Sequence, residues 1–165
     1  MSVSEFQLFH GIVLTKLVRS DRPITLRMIE TRPNEAWSSY TLNSDAADLY
    51  IKHSTVWRQT ERGVKGRSWS FVFGVNQLRQ MAASEKARPV YVALVCGASD
   101  TKTKDMQVCL LEPQHLHDLL QPSLDRQQAI TVSYHPGINL RVFKDRKERF
   151  KIPQGALEKW RVPGS

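Results

Sequence analysis

One run of apolar residues, VYVALVC at Val90–Cys96, constrains the fold more than any other feature of the sequence. An almost continuous run of apolar and β-branched residues is typical of a central strand that is covered on both faces. The run is far shorter than the roughly 20 apolar residues that a helix needs to span a bilayer. The rest of the chain must therefore supply strands and helices that cover both sides of this strand.

Apolar spacing predicts those surrounding elements. Trp69, Phe71 and Phe73 alternate with other residues, as in a half-buried strand. The same reasoning predicts strands at 24–30, 38–43, 47–54 and 106–112, helices at 5–18, 75–84, 112–120 and 153–160, and a hairpin at 129–143. We expect an α+β (mixed α/β) fold: a single central mixed sheet with about three helices packed on it and a C-terminal β-hairpin.

Length and composition favour one soluble domain. The chain has 165 residues, of which 41% are hydrophobic and 24% charged, a globular composition. We expect a single domain over residues 1–165, with a basic flexible loop at 56–67 and a basic C-terminal extension at 144–165. No signal-peptide pattern is visible at the N-terminus. Cys96 and Cys109 lie in apolar runs, where reduced cysteines pack well, so we expect a cytoplasmic protein without a membrane partner.

The net charge of +8 is concentrated in two segments. Residues 52–67 hold five basic side chains against Glu61, a balance of +4, and residues 141–161 hold eight against three acids, a balance of +5. The remaining residues therefore sum to −1. Clustered cations with nearby aromatic residues and glycines suit a phosphate backbone and stacked bases.

This distribution predicts a nucleic-acid or other polyanion binding protein that acts by phosphate neutralisation with limited stacking. DNA and RNA are both open as partners. The expected contact residues share a positive charge or an aromatic ring within the two segments: Lys52, Trp57, Arg58, Arg62, Lys65, Arg67, Arg141, Lys144, Arg146, Lys147, Arg149 and Lys151.

The predicted order of an opening helix, successive strands, a helix and a buried strand over residues 5–97 resembles the core of restriction-endonuclease-like, or PD-(D/E)xK, nucleases. The resemblance implies an acid on one strand and an acid-x-Lys on the next, which hold Mg²⁺ beside a phosphodiester. Its candidate catalytic residues here are Glu30, Asp48 and Lys52. Tyr50 stands two residues before Lys52, where the family pattern has an acid. A metal-dependent nuclease, with Mg²⁺ as cofactor, is thus an alternative function.

Further alternatives depend on histidine, cysteine and tryptophan. His53, Tyr134 and His135, with Lys52, are the residue types of metal-free RNA cleavage, although alternation sends Lys52 and His53 to opposite faces of a strand. The spacing of cysteines and histidines does not match a closed zinc site, so no metal site is expected from it. An interaction module that docks a protein partner or a second copy through exposed tryptophans is the third class of function, with these candidates: Trp37, Trp57 and Trp160.

Overall fold

The computed structural model describes residues 4–18, 23–60, 66–98, 106–121 and 125–165. They form four α-helices: α1 (Glu5–Leu17), α2 (Val75–Glu85), α3 (Pro113–Leu119) and α4 (Ala156–Lys159). The ten strands are β1 (Leu26–Arg32), β2 (Trp37–Leu42), β3 (Ala47–Ser54), β4 (Trp57–Gln59), β5 (Arg67–Phe73), β6 (Val90–Cys96), β7 (Gln107–Leu111), β8 (Gln128–Tyr134), β9 (Leu140–Lys144) and β10 (Lys147–Ile152).

The first sheet has five strands in the order β1-β2-β3-β6-β7. Strands β1, β2 and β3 form an antiparallel meander, β6 runs parallel to β3, and β7 is antiparallel to β6. The parallel pair requires a long crossover between β3 and β6, and this crossover contains β4, β5 and α2. The apolar run Val90–Cys96 is β6, an interior strand as its composition predicts.

The second sheet has five antiparallel strands in the order β10-β9-β8-β5-β4. Strand β8 lies at its centre, between β5 and β9, so it joins chain segments that are far apart in sequence. The turn between β9 and β10 is two residues long, and Asp145 and Arg146 both have positive φ, 52° and 65°. Two positive φ values are typical of a type I′ hairpin turn.

Two apolar cores stack the sheets and helices in layers. One core joins the inner face of the second sheet to the first sheet, α2 and α3, and includes Trp37, Trp69 and Phe73. The other lies on the opposite face of the first sheet, where Phe9 of α1 and Trp160, next to α4, pack. Both faces of the first sheet are therefore covered. Among the described residues, no helix has the length and apolar character to cross a membrane.

The mixed α+β fold class is confirmed, and the predicted hairpin is β8–β9. The expectation of a single central sheet is wrong, because β5 pairs with β4 and β8 rather than with the strands of the first sheet. The loop prediction for 56–67 is wrong at Trp57–Gln59, which form β4, while residues 61–65 lie outside the described residues. The basic C-terminal segment begins with the last residue of β9 and contributes β10 and α4, so half of it is regular structure.

Candidate nucleic-acid interface

The second sheet has one face in the core and one that points away from it, which we call the outer face. Alternation along β5 sets this division: Trp69, Phe71 and Phe73 are buried, whereas Ser70 and Val72 between them are exposed. On β8, Thr131 and Ser133 share the outer face. Small hydroxyl side chains thus occupy the middle of the outer face, where they line a concavity.

One row of paired residues crosses all five strands of this sheet. Arg58 on β4 pairs with Ser68, and Ser68 pairs with Ser133. Ser133 then pairs with Arg141, and Arg141 with Lys151 on β10. We call these five residues the cationic row. With strands about 4.8 Å apart, Arg58 and Arg141 lie about 14 Å from one another across two serines. The row therefore brings cations from both basic sequence segments to one face.

A concavity of about 870 Å³ opens on this face. Its wall includes Arg58 and Arg141 from the cationic row and Arg146 from the β9–β10 turn. Arg146 takes a left-handed backbone conformation, φ 65°, which favours glycine over residues with a side chain. An arginine at this position adds a third cation to the concavity at a cost in backbone energy.

One border of the concavity is formed by Thr60 and His135. Thr60 Oγ1 and His135 Nε2 are 2.9 Å apart, a hydrogen bond between the two sides of β5. Both side chains lie directly over Gly66, because a Cβ built on Gly66 would lie 2.0 Å from Thr60 Oγ1. A side chain at position 66 would therefore displace this contact.

The other border is a second row, in which Phe143 on β9 is flanked by Thr131 on β8 and Glu148 on β10. Phe143 is partly exposed, and all three residues line the concavity. Glu148 Oε1 lies 3.4 Å from Arg141 Nε, so the carboxylate also holds this arginine on the outer face. The serines, Phe143 and Glu148 also belong to this interface, and the positions of the basic residues in the sequence did not predict them. The alternation Ser68-Trp69-Ser70 does indicate where the outer face of β5 lies.

Several predicted contact residues do not lie on the outer face. Lys144 donates through Nζ to Leu119 O and to Gln128 Oε1, and burial lowers its pKa. Arg149 pairs with Asp118 on α3 at 3.3 Å. Arg67 stacks its guanidinium on Trp57, 4.4 Å from the ring centroid.

Of the remaining predicted cations, one lies in the β9–β10 hairpin and two are residues that the structure does not describe. Lys147 is exposed at the start of β10, where it is paired with Lys144. Arg62 and Lys65 lie outside the described residues. The outer face therefore gathers Arg58, Arg141, Arg146 and Lys151 from the predicted set.

Lys52 is buried, with 7% of its surface exposed, and it does not reach the outer face. Its Nζ donates to Gln77 Oε1 at 3.1 Å and to Glu35 O at 3.4 Å. The ammonium also lies 5.5 Å from the ring centroids of both Trp37 and Phe73. Burial lowers the pKa of Lys52 to about 8, while the charge of Glu35 acts in the opposite direction. Lys52 is thus a buried ammonium whose hydrogen bonds go to uncharged oxygens.

The candidate catalytic acids have partners of their own. Asp48 is bound to Arg88 at 3.1 Å and accepts a hydrogen bond from Thr41 Oγ1 at 3.0 Å. Glu30 forms an ion pair with Arg32. Within the part of the chain that the structure describes, no group of three or more histidine, cysteine or acidic side chains is arranged to hold a metal ion.

A chain of polar groups, of which His10 and Ser38 are buried and His53 is half-buried, lies on the other face of β3. His10 Nδ1 is 2.6 Å from Ser38 Oγ, and His10 Nε2 is 2.9 Å from His53 Nδ1. Burial lowers the pKa of His10 to about 3 and that of His53 to about 4, and Lys52 adds a repulsive charge in both cases. Lys52 and His53 point to opposite faces of β3, as alternation predicts. No local sequence motif predicts this chain, because its members come from three separate elements.

Two of the three tryptophans expected on the surface are buried, which corrects that prediction. Trp37 has 0% and Trp160 has 8% of its surface exposed, because they pack in the two apolar cores. Trp57 is 40% exposed, beside Arg67. Cys96 and Cys109 are free and buried, and burial raises the pKa of both thiols.

Comparison of the chain with protein-family models, curated proteins and solved structures found no match.

Proposed function

We propose that this protein binds nucleic acid through the outer face of the second sheet. The observation that carries the proposal is the cationic row, in which strand pairing places Arg58 and Arg141 on one face although they are far apart in sequence. Arginine binds phosphate oxygens bidentately, and serine hydroxyls donate to the same oxygens. Ser68, which is half-buried, and Ser133, which is buried, lie between the two arginines, so no bulky or acidic side chain separates the two cations along the row.

The balance of charge on this face supports a polyanionic ligand. Arg58, Arg141, Arg146 and Lys151 are opposed by the carboxylate of Glu148. Cations on a concave surface raise the local concentration of a polyanion and release its counterions on binding. A cytoplasmic location is part of the proposal, since the buried free thiols of Cys96 and Cys109 suit a reducing compartment.

A salt titration tests the proposal. We expect the logarithm of the association constant to fall linearly with the logarithm of salt concentration. Arg58→Gln and Arg141→Gln should each reduce the magnitude of this negative slope by about 0.7 to 0.9, which is the contribution of one phosphate contact. Arg79→Gln serves as the matched control, because Arg79 is an exposed arginine on α2 that pairs with Asp125. Absence of binding at low salt, or equal slopes for all three variants, would refute the proposal.

A metal-dependent nuclease of the restriction-endonuclease-like type is the second proposal. It is supported by the order of elements, in which α1 precedes the meander β1–β3 and α2 precedes β6, parallel to β3. Its candidate catalytic residues are Glu30, Asp48 and Lys52, with Mg²⁺ as cofactor. The contacts of these residues do not favour a metal site, because Asp48 is bound to Arg88, Glu30 to Arg32 and Lys52 to Gln77. Incubation of plasmid and single-stranded substrates with Mg²⁺ or Mn²⁺ tests it, beside a Lys52→Met control. Cleavage that persists unchanged in the control would come from a contaminant.

A further inference from the structure

The outer face carries an aromatic ring and a carboxylate beside its cations. Phe143 is two residues from Arg141 along β9, and Glu148 pairs with Phe143 across β10. Two residues along a strand cover about 7 Å. This is the scale of the sugar that separates a phosphate from its base. Phosphates along the cationic row would therefore place bases over Phe143 and Glu148.

The negative charge of Glu148 distinguishes the row that contains Phe143 from the cationic row. A carboxylate repels phosphate. Glu148 is the only acid among the described residues that line the concavity, and it would repel a phosphate beside Phe143. An uncharged planar base has no such conflict. A base stacks on an aromatic ring, and its N–H groups donate to carboxylate oxygens. Phe143 and Glu148 together therefore form a pocket for a nucleobase.

We propose that the outer face takes single-stranded nucleic acid, with an unpaired base stacked on Phe143 and hydrogen-bonded to Glu148. This inference rests on the proposed function, and it names the ligand class. A base pair inside a duplex is stacked on both sides, so its flat face is not available to Phe143. A single strand exposes both the flat face and the pairing edge of each base.

The carboxylate also selects among bases. The pairing edge of guanine carries two adjacent donors, N1–H and the N2 amino group, which match the two acceptor oxygens of Glu148. The pairing edge of thymine carries one N–H between two carbonyl oxygens, and those oxygens face a carboxylate unfavourably. The preferred base on Phe143 is therefore guanine.

The first experiment measures binding of a labelled oligothymidine strand and of a duplex of equal length at one salt concentration, by fluorescence anisotropy. We expect the single strand to bind at least about fivefold tighter, the value of one stacked base. Phe143→Leu removes this difference. Val72→Ala is the matched control, because Val72 is an exposed apolar side chain on the same sheet face, and it leaves the difference unchanged.

The second experiment replaces one central thymine of the strand by guanine. The wild-type protein is expected to bind this strand about fivefold tighter than the all-thymine strand. Glu148→Gln abolishes the preference and strengthens binding of the all-thymine strand, because a negative charge is lost beside the phosphates. Thermal unfolding of each variant verifies that it is folded.

The outcomes distinguish this inference from the proposed function. Binding of neither strand nor duplex refutes both. Duplex binding that equals or exceeds strand binding overturns the single-strand inference and leaves nucleic-acid binding intact. A strand preference that survives Phe143→Leu, or a guanine preference that survives Glu148→Gln, overturns the base pocket.

Discussion

Replacement of Lys52 by methionine is expected to stabilise this protein. Lys52 holds its charge where 7% of its surface is exposed, and its hydrogen bonds go to Gln77 and the Glu35 carbonyl. The fall of its pKa from 10.5 to about 8 corresponds to about 3 kcal/mol, at about 1.4 kcal/mol for each tenfold change in equilibrium constant. The folded state bears this cost whenever the ammonium is charged.

Part of this gain in stability is lost, because the substitution also removes the favourable contacts of the ammonium. Its contacts with the rings of Trp37 and Phe73 contribute on the order of 1 kcal/mol each in a desolvated site. Gln77 Oε1 keeps a hydrogen bond from the Gly74 amide after the substitution. Methionine matches the length of the lysine stem, so no large cavity forms. The net increase in the free energy of unfolding is therefore about 1 kcal/mol at pH 7.

The pH dependence of this difference is the sharper test. The folded-state pKa of Lys52 lies below its unfolded value, so between about pH 8 and 10.5 the unfolded state holds more protons. Wild-type stability then rises with pH relative to the variant, and above pH 10.5 the charge no longer penalises folding. Urea unfolding at pH 7 and pH 10.5 measures the difference in unfolding free energy between wild type and variant at each pH. Lys86→Met is the control at an exposed lysine. A less stable Lys52→Met protein at pH 7, or a difference independent of pH, would refute this reasoning.

Two further predictions concern the turn and the buried histidines. Arg146→Gly is expected to raise stability by about 1 kcal/mol, because φ is 65° there, and to weaken nucleic-acid binding. Arg146→Ala should weaken binding without the gain in stability, and urea unfolding with salt titrations distinguishes the two variants. For His10 and His53, with folded pKa values of about 3 and about 4, stability should fall as pH drops below 6.5. The loss at pH 5 is about 2 kcal/mol for each histidine, and urea unfolding of His53→Gln should recover about half of the total.

Local patterns predicted most of the strands and helices. The alternation of Trp69, Phe71 and Phe73 was sufficient for β5, because a period of two can bury an aromatic face only in an extended strand. The continuous apolar run of β6 required cover on both sides, and the structure provides it through two cores. Pro113 at the start of α3 and Gly137 in the β8–β9 turn, with φ 80°, mark positions where backbone geometry restricts the residue.

The environment of Lys52 was not predictable in this way. Alternation correctly separates Tyr50 and Lys52 from Leu49 and Ile51, yet it does not say whether the Lys52 side faces water. The second sheet and α2 cover that side, so Lys52 becomes a buried ammonium next to Phe73. A side chain that alternation leaves free to be solvated is buried because a distant part of the chain packs on it.

The sequence by itself determined most of the strands, which strand is interior, and that the positive charge is concentrated in two segments, because these follow from local spacing and composition. Only the tertiary structure decided that the strands divide into two sheets and that Arg58 and Arg141 share one row. The physical reason is that strand pairing is a contact between distant segments. An alternating strand exposes the same hydrogen-bonding groups to any partner, and packing of the whole chain selects β8 as the strand that joins the two basic segments.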